Sequence, residues 1–567
     1  MLSNTSRRTF VKGLAAGGLL GGLGLWRTPV WALNSPDQLN ELTGTDFELF
    51  IGETPVNFTG QSRTAMTING GVPGPLLRWR EGDTVTLRVR NRLKADTSIH
   101  WHGILLPANM DGVPGLSFKG IEPGGVYVYQ FKVRQHGTYW YHSHSGLQEQ
   151  AGVYGPLVID AREPEPFQYN REHVVMLSDW TDEDPASLMK TLKKQSDYYN
   201  YHKRTVGDFI QDVGEKGWGA TIADRTMWAQ MKMNPTDIAD VSGATYTFLM
   251  NGHAPDSNWT GLFRPGEKLR LRLINGSAMT YFDVRIPGLK MTVVAADGLH
   301  VKPVTVDELR IAVAETYDVI VEPAADAYTL FAQAMDRTGY ARGTLATRAG
   351  LSAPVPALDP RPLVTMDDMG MGGMDHGSMD MSGMDHASMN MGPMQSHPDS
   401  EKDNPLVDMQ AMTTAAKLDD PGLGLRNNGR RVLTYADLHS TFEDPDGRDP
   451  GRTIELHLTG HMEKFAWSFN GIKFSDAEPL RLRYGERIRL VLVNDTMMTH
   501  PIHLHGMWSD LEDENGEFQV RKHTIDMPPG TRRSYRVTAD ALGRWAFHCH
   551  LLYHMEMGMF REVRVEE

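Results

Sequence analysis

The chain holds a single cysteine in 567 residues, so no disulfide can form within it. A lone exposed thiol would be a liability in an exported protein, which points to a ligand role instead. Basic residues are the minority: 57 Lys and Arg stand against 71 Asp and Glu, for a formal charge of −14. That balance, with no polybasic patch, argues against nucleic acid or anionic membrane as partners and mildly favours cations. Long apolar runs are also missing. The run from Gly13 to Leu25 falls short of the roughly 20 residues that cross a bilayer. It follows a twin-arginine motif, Ser6-Arg7-Arg8-Thr9-Phe10-Val11-Lys12, and precedes Val30-Trp31-Ala32, which fits a small-x-Ala cleavage site. Residues 1–32 are therefore expected to be a signal peptide for export of a folded protein to the periplasm, leaving no membrane anchor. That stretch carries Arg7, Arg8, Lys12 and Arg27 and no acid, so its removal takes the formal charge from −14 to −18.

What the chain does have is histidine, and histidine surrounds the one cysteine. Trp545-Ala546-Phe547-His548-Cys549-His550 is followed by His554 and Met559. A thiolate, two imidazoles and a weak thioether form the ligand set of a blue-copper electron-transfer site, and His500 is the obvious second imidazole donor. In an extended strand, alternation sends Cys549 to one face and His548 and His550 to the other. One short strand can then serve a mononuclear copper through sulfur and a separate cluster through nitrogen.

Two further pairs, His100-Trp101-His102 and His142-Ser143-His144, precede His500-Pro501-Ile502-His503-Leu504-His505 and the cysteine motif. One His-x-His pair is weak evidence and often reads as zinc. Four motifs in this order, one containing His-Cys-His, resemble the multicopper oxidases over most of the mature chain. The resemblance implies four copper ions. His500, Cys549, His554 and Met559 would hold the type 1 copper, and His100 and His503 the type 2 copper. His102, His142, His144, His505, His548 and His550 would hold the type 3 pair. Asp111 matches a family acid that assists proton delivery to oxygen, although Asp111-Gly112 also reads as an ordinary turn. Some relatives place an acid directly after the last type 1 histidine; here Met555 stands there and Glu556 follows, which puts a substrate-binding carboxylate at that point in doubt.

A repeat sets the architecture. Gly82 to Asn91, Gly266 to Asn275 and Gly485 to Asn494 each alternate apolar and polar residues as a half-buried strand does. Each follows an Asn-Gly turn (Asn69-Gly70, Asn251-Gly252, Asn470-Gly471), and each precedes another strand signal near Tyr127, Tyr317 and Ser534. Three copies of one Greek-key β-sandwich follow, an all-β chain of the cupredoxin type that the resemblance implies. The expected domains are 42–165, 166–350 and 426–567, with a linker at 351–425. The second copy has Ala278-Met279-Thr280 where the others have histidine, so it should be a copper-free spacer with the cluster shared between the first and third. Ala186 to Lys194 reads as helical, and Met227, Met231 and Met233 at helical spacing read as core packing.

Composition changes abruptly at Met366. The pool Met366, Met369, Met371, Met374, Met379, Met381, Met384, Met389, Met391 and Met394 sits among Gly, Ser and Asp, so the segment is expected to be a mobile loop without a core. Thioether sulfur selects Cu(I), and His376, His386 and His397 could add Cu(II) affinity, which favours copper capture over an inert linker. His136, His173, His300, His439, His457 and His523 read as structural. The twin-arginine signal, three-domain length and methionine-rich insert resemble the copper-resistance group of the family. The implied reaction oxidises Cu(I) to Cu(II) and reduces O2 to water. A laccase acting on phenols and a copper-sequestering binding protein are the alternatives. A periplasmic copper carrier is a candidate partner, and a chain that shares its cluster internally needs no second subunit.

Overall fold

The computed structural model describes residues 39–371 and 394–567. The signal-peptide reading, His376, His386, and Met374, Met379, Met381, Met384, Met389 and Met391 fall outside the described residues. Among the described residues, six sheets fall into three successive pairs. Among the described residues no helix is long and apolar enough to cross a membrane.

The repeated strand is central in each pair. Thr84–Asn91, Leu269–Asn275 and Arg487–Asn494 each pair in parallel with a strand near the start of their domain (Asp46–Val56, Arg171–Thr181, Arg452–His461). Each pairs on its other side, antiparallel, with Val126–Lys132, Thr316–Val321 or Arg532–Thr538. The Asn-Gly turns carry positive φ at both residues, 52° and 85°, 50° and 76°, and 51° and 69°, the conformation that Asn and Gly tolerate and that suits a tight hairpin. Each turn asparagine also stitches itself to the opening strand, accepting the backbone N–H of Phe50, Met176 or His457 through Oδ1.

A second asparagine, at the end of each repeated strand, shapes the loop that follows. Asn91, Asn275 and Asn494 are fully buried. Each donates through Nδ2 to two carbonyls: Ala95 and Ile121, Thr280 and Ile311, Met498 and Met527. This clamp fixes the approach to His100 in the first copy and to His500 in the third.

Two expectations change. The polar face of the second repeat does not meet solvent: Arg270 and Arg272 are buried, Arg270 on Asp318 (2.6 Å) and Arg272 on Glu172 (2.9 Å) and Thr138 of the first sandwich (2.9 Å). Charge appears on this strand because a seam between sandwiches covers it. The methionine segment is also not wholly without a core. Met369 is completely buried, and Met366 and Met371 pack against the core half-buried. Thr365 and Asp368 cap each other, and the Gly370 carbonyl accepts the N–H groups of Met412 and Thr413, so these residues form a docked turn. Met394, by contrast, is 75% exposed.

The second sandwich carries helices Pro185–Lys194, Val206–Lys216 and Trp218–Met231 between its first two strands. Asp184 caps the first by accepting the N–H of Ser187. Met231 is half-buried against the core, and Met233 lies past the helix end, buried.

Candidate metal centre

The strands His500–Leu504 and Gly543–Cys549 are antiparallel neighbours, with Ile502 opposite Cys549 and His503 opposite His548. Alternation therefore places His500 and Cys549 on one face and His503, His505, His548 and His550 on the other. In the first sandwich, His100 lies opposite His142 on paired strands.

On the first face, Cys549 Sγ lies 3.4 Å from His500 Nδ1 and 3.9 Å from His554 Nδ1, and the two nitrogens are 3.2 Å apart. Their far nitrogens are taken: His500 Nε2 meets Thr496 Oγ1 at 2.7 Å, and His554 Nε2 meets Asp240 Oδ2 at 2.7 Å. Trp467 stacks on His554 at 3.8 Å. Met559 is buried, and its backbone bonds to both ligand-bearing residues: its carbonyl accepts from Cys549 and its N–H donates to His554. Burial pushes the Cys549 thiol well up, so a thiolate here needs a cation beside it.

On the second face, eight imidazoles converge from the first and third sandwiches, in groups that include His100/His102/His503, His102/His142/His550 and His144/His505/His548. Burial, and then the like charge of neighbouring imidazoles, pushes His102, His142, His144, His503, His505 and His550 well below the usual range. Burial alone is the leading cause for His548, which is pushed down to about 3. These rings are neutral near pH 7, the form that binds metal.

The hydrogen bonds fix which nitrogen faces inward. His505 Nδ1 meets Asp111 Oδ2 at 2.8 Å, His548 Nδ1 meets the Cys549 carbonyl at 2.9 Å, and His142 Nδ1 meets the Ser143 carbonyl at 3.0 Å. Those oxygens accept, so each Nδ1 carries the proton and each Nε2 is left as a bare lone pair. Yet His505 Nε2 lies 3.0 Å from His548 Nε2, and His142 Nε2 lies 3.3 Å from His550 Nε2. In the His505–His548 pair lone pair faces lone pair, which in a buried site is unfavourable unless a cation lies between them. His100 and His503 repeat the pattern, their Nδ1 atoms on the carbonyls of Asp111 (2.8 Å) and His523 (2.6 Å), and each Nε2 is buried without a hydrogen-bond partner. His102 is reversed: its Nε2 meets His523 Nδ1 at 3.2 Å, and its Nδ1 is the unpartnered atom. Imidazole, thiolate and thioether donors suit copper, and the residues fit it.

All the motif histidines are thus brought together. Several supporting groups escaped sequence reasoning. Asp240, from the second sandwich, orients His554 across 314 residues of chain, and Glu149 lies 2.6 Å from His142 Nδ1. His523, read as structural, braces His102 directly. The second sandwich is therefore more than a spacer. Its Ala278-Met279-Thr280 loop hangs from Asp179, which accepts all three backbone N–H groups, and the Ala278 carbonyl accepts the N–H of Leu552 at the start of the turn carrying His554. No sequence motif announces these contacts: apart from Glu149 and His142, each joins residues far apart in the chain.

Family models described as multicopper oxidase match residues 51–164, 171–350 and 447–567. The chain belongs to the multicopper oxidase family, and its clusters match the mononuclear and trinuclear copper centres expected there. Within the family it is of the copper resistance protein A type. It is 78% identical to the copper resistance protein A homolog of Pseudomonas syringae pv. tomato and 72% identical to copper resistance protein A of Escherichia coli, covering the whole of both chains in each case. The crystal structure of Fet3p, described as a multicopper oxidase that functions in iron import, superposes with a TM-score of 0.64 at 20% identity, covering 93% of this chain and 91% of that one. That likeness speaks to the fold.

Proposed function

We propose that this protein is a periplasmic cuprous oxidase: four Cu(I), one O2 and four protons give four Cu(II) and two waters. In this reading His500, Cys549, His554 and Met559 hold the type 1 copper. His100 and His503 hold the type 2 copper, and His102, His142, His144, His505, His548 and His550 hold the type 3 pair. When bound, these coppers supply one-electron acceptance at one end and four-electron reduction of oxygen at the other. The observation that carries the reading is the strand Gly543–Cys549, which offers sulfur to one cluster and His548 and His550 to the other, a covalent route between them. Asp111 holds His505 through its carboxylate and His100 through its carbonyl, and it is the acid nearest to both rings for moving protons.

Cu(I) is favoured over phenols by the cover on the mononuclear site. His500 and His554 are fully buried, and their outward nitrogens are occupied by Thr496 and Asp240. A planar phenol has no ring edge to touch. A small cavity beside Asp240 is lined by Met279, Met335 and Met498, soft donors suited to Cu(I). The described methionines of the insert enter the reading unevenly: Met394 is exposed and available for Cu(I), whereas Met369 is committed to packing. The test is O2 uptake by the copper-loaded mature protein on adding Cu(I) in a stabilising chelator, beside Cys549→Ser. Uptake above the chelator's own autoxidation, lost in the variant, is expected. Wild type matching the blank while still binding copper would leave sequestration as the role.

A further inference from the structure

A further cluster lies outside the oxidase centres and involves none of their ligands. His397 and Glu401 follow the methionine-rich insert. His457 comes from the strand Arg452–His461, and Asp495 comes immediately after the neighbouring strand Arg487–Asn494. One ligand atom from each of the four lies within 4.8 Å of all the others. Asp495 Oδ2 is 2.6 Å from His457 Nδ1 and 3.2 Å from His397 Nδ1. Glu401 Oε2 is 3.3 Å from His397 Nδ1, and its Oε1 is 3.7 Å from His457 Nδ1.

Each side chain is also held from behind. His397 Nε2 faces the Ala411 carbonyl at 3.0 Å, and His457 Nε2 faces Glu455 at 3.2 Å. Asp495 Oδ1 accepts the Ala411 N–H, and Glu401 Oε2 accepts from Gln410. These contacts place the protons of neutral rings on Nε2, so two Nδ1 lone pairs and two carboxylates point at one another. Glu401 is 3% exposed, and its Oε1 has no hydrogen-bond partner, nor has His397 Nδ1. Two carboxylates buried together are costly as anions unless positive charge lies beside them.

We propose that His397, Glu401, His457 and Asp495 form a further metal site for a divalent transition-metal cation, which pins the segment after the insert onto the third sandwich. Two imidazoles and two carboxylates are a borderline donor set, open to Zn(II) and, by the usual affinity order, more strongly to Cu(II). The divalent charge matches the two carboxylates with both rings neutral. The competing arrangement is an ion-pair knot in which two imidazolium protons supply the same charge. The site stands on its own residues and does not depend on the cuprous oxidase reading.

Zinc is the cleaner probe, because thioethers compete for it poorly. Copper-loaded mature protein is treated with a chelator until about four coppers per chain remain, incubated with Zn(II), desalted and assayed for copper and zinc, beside His397→Gln, Glu401→Gln and a control with His376→Gln and His386→Gln. One additional zinc per chain in wild type and control, absent from both single variants, is expected, with the blue absorption unchanged throughout. No extra zinc in wild type overturns the site, and so does an extra zinc that persists in both variants. If the variants do not fold, the wild-type melting temperature with Zn(II) against chelator decides: a rise supports the site, and no change overturns it.

Discussion

Two sets of histidines meet in the third sandwich, and their surroundings move their protonation in opposite directions. In the set shared with the first sandwich, the imidazoles lie mainly against one another, and for His102, His142, His144, His503, His505, His548 and His550 desolvation and then like charge favour the neutral ring. In the set with His397, the neighbours are Asp495 and Glu401. The Asp495 and Glu401 carboxylates, 3.2 and 3.3 Å from its Nδ1, raise His397 to about 10; burial lowers His457, but Asp495, Glu401 and Glu455 together outweigh it and raise that ring as well. Burial alone does not say whether a histidine is a ready ligand or a held proton. The nearest charged neighbour decides it.

The largest expected effect comes from breaking the first set on one face only. His505→Ala should reduce cuprous oxidation, followed as O2 uptake, to the chelator blank. The blue absorption of thiolate-bound copper should survive, because His505 and Cys549 point to opposite faces of the same sheet. Loss of both signals together would mean that the faces are not independent.

Removing a supporting carboxylate should cost less. Asp111→Asn keeps the shape but weakens the acceptor that sets the tautomer of His505, and a loss of about 10–100-fold in turnover is expected with the blue band intact. Asp240→Asn tests the other face. Turnover should fall within a similar range of about 10–100-fold, but with a change in the redox potential of the blue centre, because Asp240 bonds to His554. Equal behaviour of the two variants in a redox titration would contradict the assignment of these acids to different centres.

The histidine and cysteine motifs that the structure brings together were legible because they are local. His548-Cys549-His550 states its own geometry once the strand is assumed, and the repeated strands with their Asn-Gly turns announce three sandwiches. The supports were not legible, because Asp240 and His554, or His397 and Asp495, meet only after whole sandwiches have packed. Composition misled in one place: a stretch rich in Gly, Asp and Met reads as coreless, yet the Thr365–Asp368 cap folds its first residues into a turn that buries Met369. Alternation misled in another, since Arg270 and Arg272 occupy the face that the first sandwich covers.

The pH dependence of stability in the metal-free protein sharpens the contrast at its acid end. His548 and His523 are pushed down by burial, to about 3 and about 4, from 6.5. Below 6.5 the unfolded chain binds protons that the folded chain refuses, so stability is complete above about 6.5 and erodes as pH falls toward 3. Copper loading should raise stability at pH 7 and steepen this acid limb, because the metal-bound folded chain also gives up the Cys549 proton that the unfolded chain keeps. Denaturant midpoints from pH 7 to 4, with and without copper, measure it, and identical slopes would count against metal occupancy of these rings.

The smallest expected effect belongs to the second set and has the opposite sign. His397 is raised from 6.5 to about 10, so the folded chain keeps a proton that the unfolded chain releases between those values. Its contribution is complete below about 6.5 and is lost as pH rises through 10. The metal-free wild type should therefore melt lower at pH 9.5 than at pH 7, by about 1 °C if the net effect is near 1 kcal/mol, since the shift per kcal/mol shrinks with chain length. His397→Gln should remove most of that alkaline slope while leaving the acid limb in place, since His548 and His523 are untouched. If zinc fills the His397 site as inferred, adding it to wild type should also remove the slope, because the cation replaces the titrating protons. A wild-type slope that persists in His397→Gln would place the alkaline sensitivity elsewhere, and the contrast between the two histidine sets would lose its second half.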